Sequence, residues 1–123
     1  MLTKSLLALI AFSSLVCAAC GGYSGTGDWV INAGDDCANV SETIVIAGNI
    51  TVDGTLNLTD VVLVFNTTYN GSNAITVGAT GALKLNDTDG DPSTVNDATN
   101  ITANNSIYHI KFESFGGLVV TNS

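Results

Sequence analysis

Residues 50–58 read Ile50-Thr51-Val52-Asp53-Gly54-Thr55-Leu56-Asn57-Leu58, two short alternating strands joined at a glycine. Alternation puts Ile50, Val52, Leu56 and Leu58 on one face and Thr51, Thr55 and Asn57 on the other, the period of a half-buried strand. The pattern returns as Ile75-Thr76-Val77 with Gly81-Ala82-Leu83-Lys84-Leu85, and again as Ile110-Lys111-Phe112 with Gly116-Gly117-Leu118-Val119-Val120. The copies also close alike, on Thr59-Asp60, Asn86-Asp87 and Thr121-Asn122.

The distance between copies separates two folds. Ile50 to Ile75 is 25 residues, and periods of about 20–30 residues built of short strands and tight corners belong to solenoids, in which one coil buries its apolar face only when the next stacks on it. A β-sandwich would join neighbouring strands through hairpin turns instead. The spacing therefore predicts a stack of coils, with Ile50, Val52, Leu56 and Leu58 against Ile75, Val77, Leu83 and Leu85, and those against Ile110, Phe112, Leu118 and Val120.

Working outward, structure is expected to begin at Asp28-Trp29-Val30-Ile31, with Trp29 as a cap over the end of the first coil. Residues 32–37 read as a turn, 42–46 as a strand, the apolar run 61–65 as a third strand of the coil, and 66–73 as a returning loop. From Ile75 to Ile110 the spacing grows to 35 residues. The excess falls in residues 86–105, rich in turn formers and holding the only proline, Pro92; it reads as a loop projecting from one coil, with Ile101 touching back.

At 123 residues the chain has room for one domain. Eleven carboxylates face three lysines and no arginine, a formal net charge of −8, which would repel a phosphate backbone and excludes nucleic acid as a partner. The 46% apolar content argues against disorder. Residues 1–19 have the form of a signal peptide: Lys4, an apolar core over residues 6–16, then Cys17-Ala18-Ala19. A flexible leader at 20–27 and a β-helix domain at 28–123 would follow, and an exported chain would meet an oxidising compartment. There Cys20 and Cys37 could pair as a disulfide, Cys20 could instead be acylated, since residues 15–20 approach a lipoprotein box with Cys17 where leucine is preferred, or both thiols could stay unpaired.

The repeat Ile-x-Val, spacer, Gly-x-Leu-x-Leu, preceded by Gly27-Asp28-Trp29-Val30-Ile31 and Gly48-Asn49-Ile50-Thr51-Val52, resembles the right-handed parallel β-helix repeats of exported surface proteins, especially archaeal ones. The resemblance covers about 95 residues and implies an all-β, right-handed parallel β-helix of about three coils. It does not imply one activity, because the fold serves pectin-lyase-like enzymes, adhesins and surface coats alike. The third repeat ends without a polar lid, so the chain reads as the N-terminal part of a longer protein, or as one that self-associates through the uncapped C-terminal coil.

Acceptor sequons for N-glycosylation begin at Asn39, Asn49, Asn57, Asn66, Asn70, Asn86, Asn100 and Asn104. That is eight, where thirteen asparagines would give about two or three by chance. Asn49 and Asn57 flank inward apolar positions and should face solvent, and outward asparagines on successive coils could also form an amide ladder. Asp87, Asp89 and Asp91 approach a calcium loop, but Pro92 stands where a glycine should and no glutamate closes it, so a solvated acidic loop is the simpler reading. Calcium is the one cofactor the residues suggest. For catalysis, His109 is the only histidine and reads as a surface or corner residue, while Asp60 and Asp87, equivalent in the repeat, read as turn formers. The sequence thus predicts a glycosylated structural or adhesive module, extracellular or on a cell surface, meeting glycans or proteins there. The competing expectation is the front of a polysaccharide lyase or hydrolase whose catalytic rungs lie beyond residue 123.

Overall fold

The computed structural model describes residues 22–68, 71–89, 98–105 and 108–121. The segment expected to be a signal peptide, Cys20, Asn70 and Asp91 lie outside these residues.

Eleven strands form among them: β1 (Trp29–Ile31), β2 (Asp36–Val40), β3 (Thr43–Ile46), β4 (Ile50–Val52), β5 (Thr55–Thr59), β6 (Val62–Phe65), β7 (Ala74–Val77), β8 (Ala82–Asn86), β9 (Asn100–Ala103), β10 (Lys111–Ser114) and β11 (Gly117–Thr121). They lie in three sheets ordered β1-β4-β7-β10, β2-β5-β8-β11 and β3-β6-β9, and every pairing is parallel. Each strand pairs with its counterpart three places on in the chain, which is the topology of a right-handed parallel β-helix. Three coils are complete, and β10 and β11 belong to a fourth.

The register holds the columns of the second and third coils as the repeats require: Ile50 opposite Ile75, Val52 opposite Val77, Leu56 opposite Leu83 and Leu58 opposite Leu85. Leu63 and Phe65 fill the third side of the core beside them. Each such fully buried side chain contributes about 1.5–3 kcal/mol of transfer free energy.

Four expectations change. The fourth coil pairs Phe112 with Ile75 and Ser114 with Val77, so Ile110 stands outside the column assigned to it. The cause is the corner: Phe115-Gly116 spans it in two residues, as Asp53-Gly54 does, whereas the third coil uses four, and counting back from the glycine moves the strand by two. Residues 29–46 are a whole first coil, with Trp29 and Ile31 in the Ile50 and Val52 columns and Cys37 opposite Leu56. Trp29 is accordingly a core residue. Residues 32–37 are only partly a turn, because Asp36 already begins β2. Residues 100–103, read as part of a projecting loop, are the third strand of the third coil, with Ile101 opposite Leu63.

The repeated glycine has a steric cause. At Gly54, Gly81 and Gly116 the corner passes so close to the previous coil that a Cβ would lie 2.3 Å from Asn32 O, 1.9 Å from Val52 O and 2.3 Å from Gly78 O respectively. The N–H of the next residue meanwhile donates back to the preceding corner, Ala82 to Gly54 and Gly117 to Gly81.

Residues 22–27 lie against the first coil. The Tyr23 ring meets Trp29 with centroids 5.8 Å apart, and its hydroxyl donates to Gly27 O at 2.8 Å and accepts from Ala47 N–H at 3.0 Å. Cys37 is one half of a disulfide. Cys20, for which pairing with Cys37 is one of three open expectations, is outside the described residues.

Candidate functional site: the asparagine corners

A solenoid must turn its chain between sheets without losing the coil-to-coil ladder; glycine does that work between the first and second sheets, and polar side chains do it in the other two connections. Before the first sheet, Asp28 Oδ1 accepts the N–H of Asn49 at 2.9 Å, and Asn49 Oδ1 accepts the N–H of Ala74 at 2.8 Å. Each side chain thus caps the strand one coil further on. Asn73, buried, donates from Nδ2 to Gly48 O at 2.6 Å.

Between the second and third sheets the bend is one left-handed residue, Ser41 in the first coil and Asp60 in the second, with φ of 52° and 54°. Aspartate tolerates that conformation better than most residues. The N–H of each still donates to the next coil, Ser41 to Thr59 O and Asp60 to Asn86 O. The Asp60 carboxylate then holds Thr88, taking its N–H at 3.0 Å and its hydroxyl. Where the third coil departs into its insertion, the buried Thr99 hydroxyl closes the corner, accepting Val61 N–H at 3.3 Å and reaching Asn86 O at 2.7 Å.

Where the chain leaves the third sheet on its way back to the first, the residue used is Asn104. Its Oδ1 accepts both the N–H and the hydroxyl of buried Thr67, each at 3.0 Å, and its Nδ2 donates to Asn66 Oδ1 at 2.7 Å. On the outward face of the second sheet Asn86 Nδ2 likewise donates to Asn57 Oδ1, diagonally across β5 and β8.

The sequon asparagines therefore fall into distinct settings. Asn57 with Asn86, and Asn66 with Asn104, are hydrogen-bonded pairs on successive coils. Asn49 is half-buried before β4, and Asn100 is exposed at the start of β9. Asn39 holds an inward register position opposite Leu58, and its Nδ2 donates to Glu42 Oε1. A glycan is joined through Nδ2. At Asn49, Asn57 and Asn66 the bonds just described run through Oδ1, the other atom of the amide; at Asn86 and Asn104 they use one of the two Nδ2 hydrogens.

Of the three aspartates proposed as cation ligands, Asp87 Oδ1 accepts the N–H of Asp89 at 3.2 Å, a local turn. Among the described residues no three or more His, Cys, Asp or Glu side chains gather as metal ligands. His109 is exposed in the segment between β9 and β10 rather than in a strand, and its carbonyl accepts Gly71 N–H at 3.0 Å.

Sequence reasoning missed Thr67, Asn73 and Thr99, the buried polar residues of the corners. One signal was available for Asn73: like Asp28 and Asn49, it is a hydrogen-bonding residue immediately before a strand of the first sheet. No family model matches the chain, and neither does any curated protein or solved structure.

Proposed function

We propose that this chain is an exported structural or adhesive module of a cell surface, bearing glycans on the asparagines of its corners. The β-helix supplies a stiff scaffold, because bending it would open the apolar columns and the parallel ladders together. The observation that carries the reading is the arrangement of sequon asparagines in bonded pairs on successive coils, Asn57 with Asn86 and Asn66 with Asn104. Such columns would space attached sugars by one coil, about 4.8 Å along the axis, and present them as a multivalent strip. Linkage at Nδ2 leaves Oδ1 in place, so a modified Asn57 or Asn66 would keep its bond to the next coil.

Fractionation of producing cells combined with glycopeptide mapping tests this. The chain is expected in the surface or extracellular fraction, with modification at exposed Asn66 and Asn100 exceeding that at Asn39, which is half-buried and bonded through Nδ2 to Glu42. Recovery of unmodified chain from the cytosol would sink the reading, as would release of reducing ends from a polysaccharide by the purified protein.

A further inference from the structure

We infer, on the glycan reading proposed above, that the fold decides when its acceptor asparagines can be modified: Asn49 and Asn57 take a sugar only before the coils close, whereas Asn66 stays open to the modifying enzyme afterwards.

Transfer to asparagine joins Nδ2 to the anomeric carbon of a sugar; the bond from that carbon to a lipid-pyrophosphate carrier breaks, the carrier leaves with the bonding electrons, and the amide gives up one proton. The acceptor is defined by a Ser or Thr two residues on as well as by the asparagine, so all three residues of a sequon must enter the enzyme's cleft. Asn57-Leu58-Thr59 cannot do so in the folded chain. The three residues lie inside β5, with β2 paired along one side and β8 along the other, and neighbouring strands at about 4.8 Å leave no gap for the wall of a cleft. Leu58 is wholly buried, and Asn57 and Thr59 are half-buried.

Asn49-Ile50-Thr51 is held as firmly. Ile50 and Thr51 lie in β4 between β1 and β7, with Ile50 buried. Asn49 is bonded at its N–H to Asp28 Oδ1, at its carbonyl to Trp29 N–H and at Oδ1 to Ala74 N–H. Releasing either sequon means pulling an inner strand out of stacked coils, an opening that costs close to the whole stability of the fold. Asn66-Thr67-Thr68 instead follows the end of β6. Asn66 and Thr68 are exposed; Thr67 is buried, and its N–H and hydroxyl are both taken by the one side chain of Asn104. Freeing Thr67 from Asn104, and Asn66 N–H from Ile46 O, opens this sequon without removing a strand. Local openings of that kind cost far less than opening a core strand.

Cell-free synthesis of the full chain tests this, with a purified oligosaccharyltransferase and its lipid-pyrophosphate oligosaccharide either present during synthesis or added once the chain has folded, and glycopeptide mapping as the readout. Present throughout, the enzyme should modify Asn49, Asn57 and Asn66. Added late, it should still modify Asn66, while occupancy at Asn49 and Asn57 falls at least about tenfold. Gly81→Ala crowds the corner against Val52 O and lies in neither sequon; it should restore modification at Asn57 in the late reaction, whether it loosens the coils or prevents them from forming. Equal early and late occupancy at Asn57, a Gly81→Ala chain as resistant as the parent, late loss of Asn66 together with the other two, or an enzyme that passes over Asn49 and Asn57 at both times would overturn the inference. The glycan reading itself fails separately, when chain recovered from producing cells carries no sugar.

Discussion

Leu58 in the second coil and Val120 in the fourth stand in one column of one sheet, linked through Leu85. Leu58 is wholly buried; Val120 is 53% exposed. Both are aliphatic residues at inward positions of five-residue strands, so the difference is not in their own chemistry. It lies in what stacks on them. In a solenoid, burial belongs to the pair of coils, and a residue acquires core character only from the rungs above and below it. The first coil gives the opposite example: Trp29 and Ile31 are as buried as residues of the middle coils, and the Tyr23 ring lies against Trp29.

The largest expected effect contrasts two glycines. A Cβ at Gly81 would lie 1.9 Å from Val52 O, whereas at Gly117 it meets nothing nearer than Ala82 Cβ at 3.6 Å. Gly81→Ala should cost more than about 4 kcal/mol in denaturant unfolding and Gly117→Ala less than about 1 kcal/mol. Equal midpoints for the two would refute the close approach at the corner.

Next comes the Leu58 and Val120 column itself. Leu58→Ala should lose about 2–5 kcal/mol by opening a cavity between coils, while Val120→Ala should lose less than about 1 kcal/mol. If both cost the same, the fourth coil is as well packed as the second and the contrast between them disappears.

The corners should respond less. Thr99→Val keeps the shape of the side chain but leaves Val61 N–H without its acceptor, an expected loss of about 1–3 kcal/mol. Thermal unfolding showing no change would mean that a water or another group serves that N–H. Smallest of all, Ser41→Asn places a residue tolerant of left-handed backbone at φ 52°. It should raise stability by no more than about 1 kcal/mol, and a clear loss would show that the serine is held there by something other than backbone conformation.

Much of this fold could be read from the chain because a β-helix writes its register into a short repeat. Alternation fixed which of Ile50, Val52, Leu56 and Leu58 face inward, and the glycine marked each corner. What escaped was whatever depended on corner length. Two residues at Phe115-Gly116, against four between Val77 and Ala82, moved the whole of β10 by two positions, and no propensity distinguishes those corners. Strand β9 escaped for a related reason: Asn100-Ile101-Thr102-Ala103 is short and weakly apolar, and only pairing with β6 makes it a strand. For the asparagines, sequon spacing named the residues without their settings. Asn39 and Asn57 carry the same motif, but one holds an inward column and the other an outward face.

By itself the sequence determined the solenoid, its apolar columns and its acidic, arginine-free composition, because these follow from alternation, period and charge along the chain. The tertiary structure alone decided that residues 29–46 form a coil of their own, that Phe112 rather than Ile110 stacks on Ile75, and that Asn57 meets Asn86 and Asn66 meets Asn104. Those contacts join residues 19 or more positions apart, and their alignment is set by how each corner packs on the one before it.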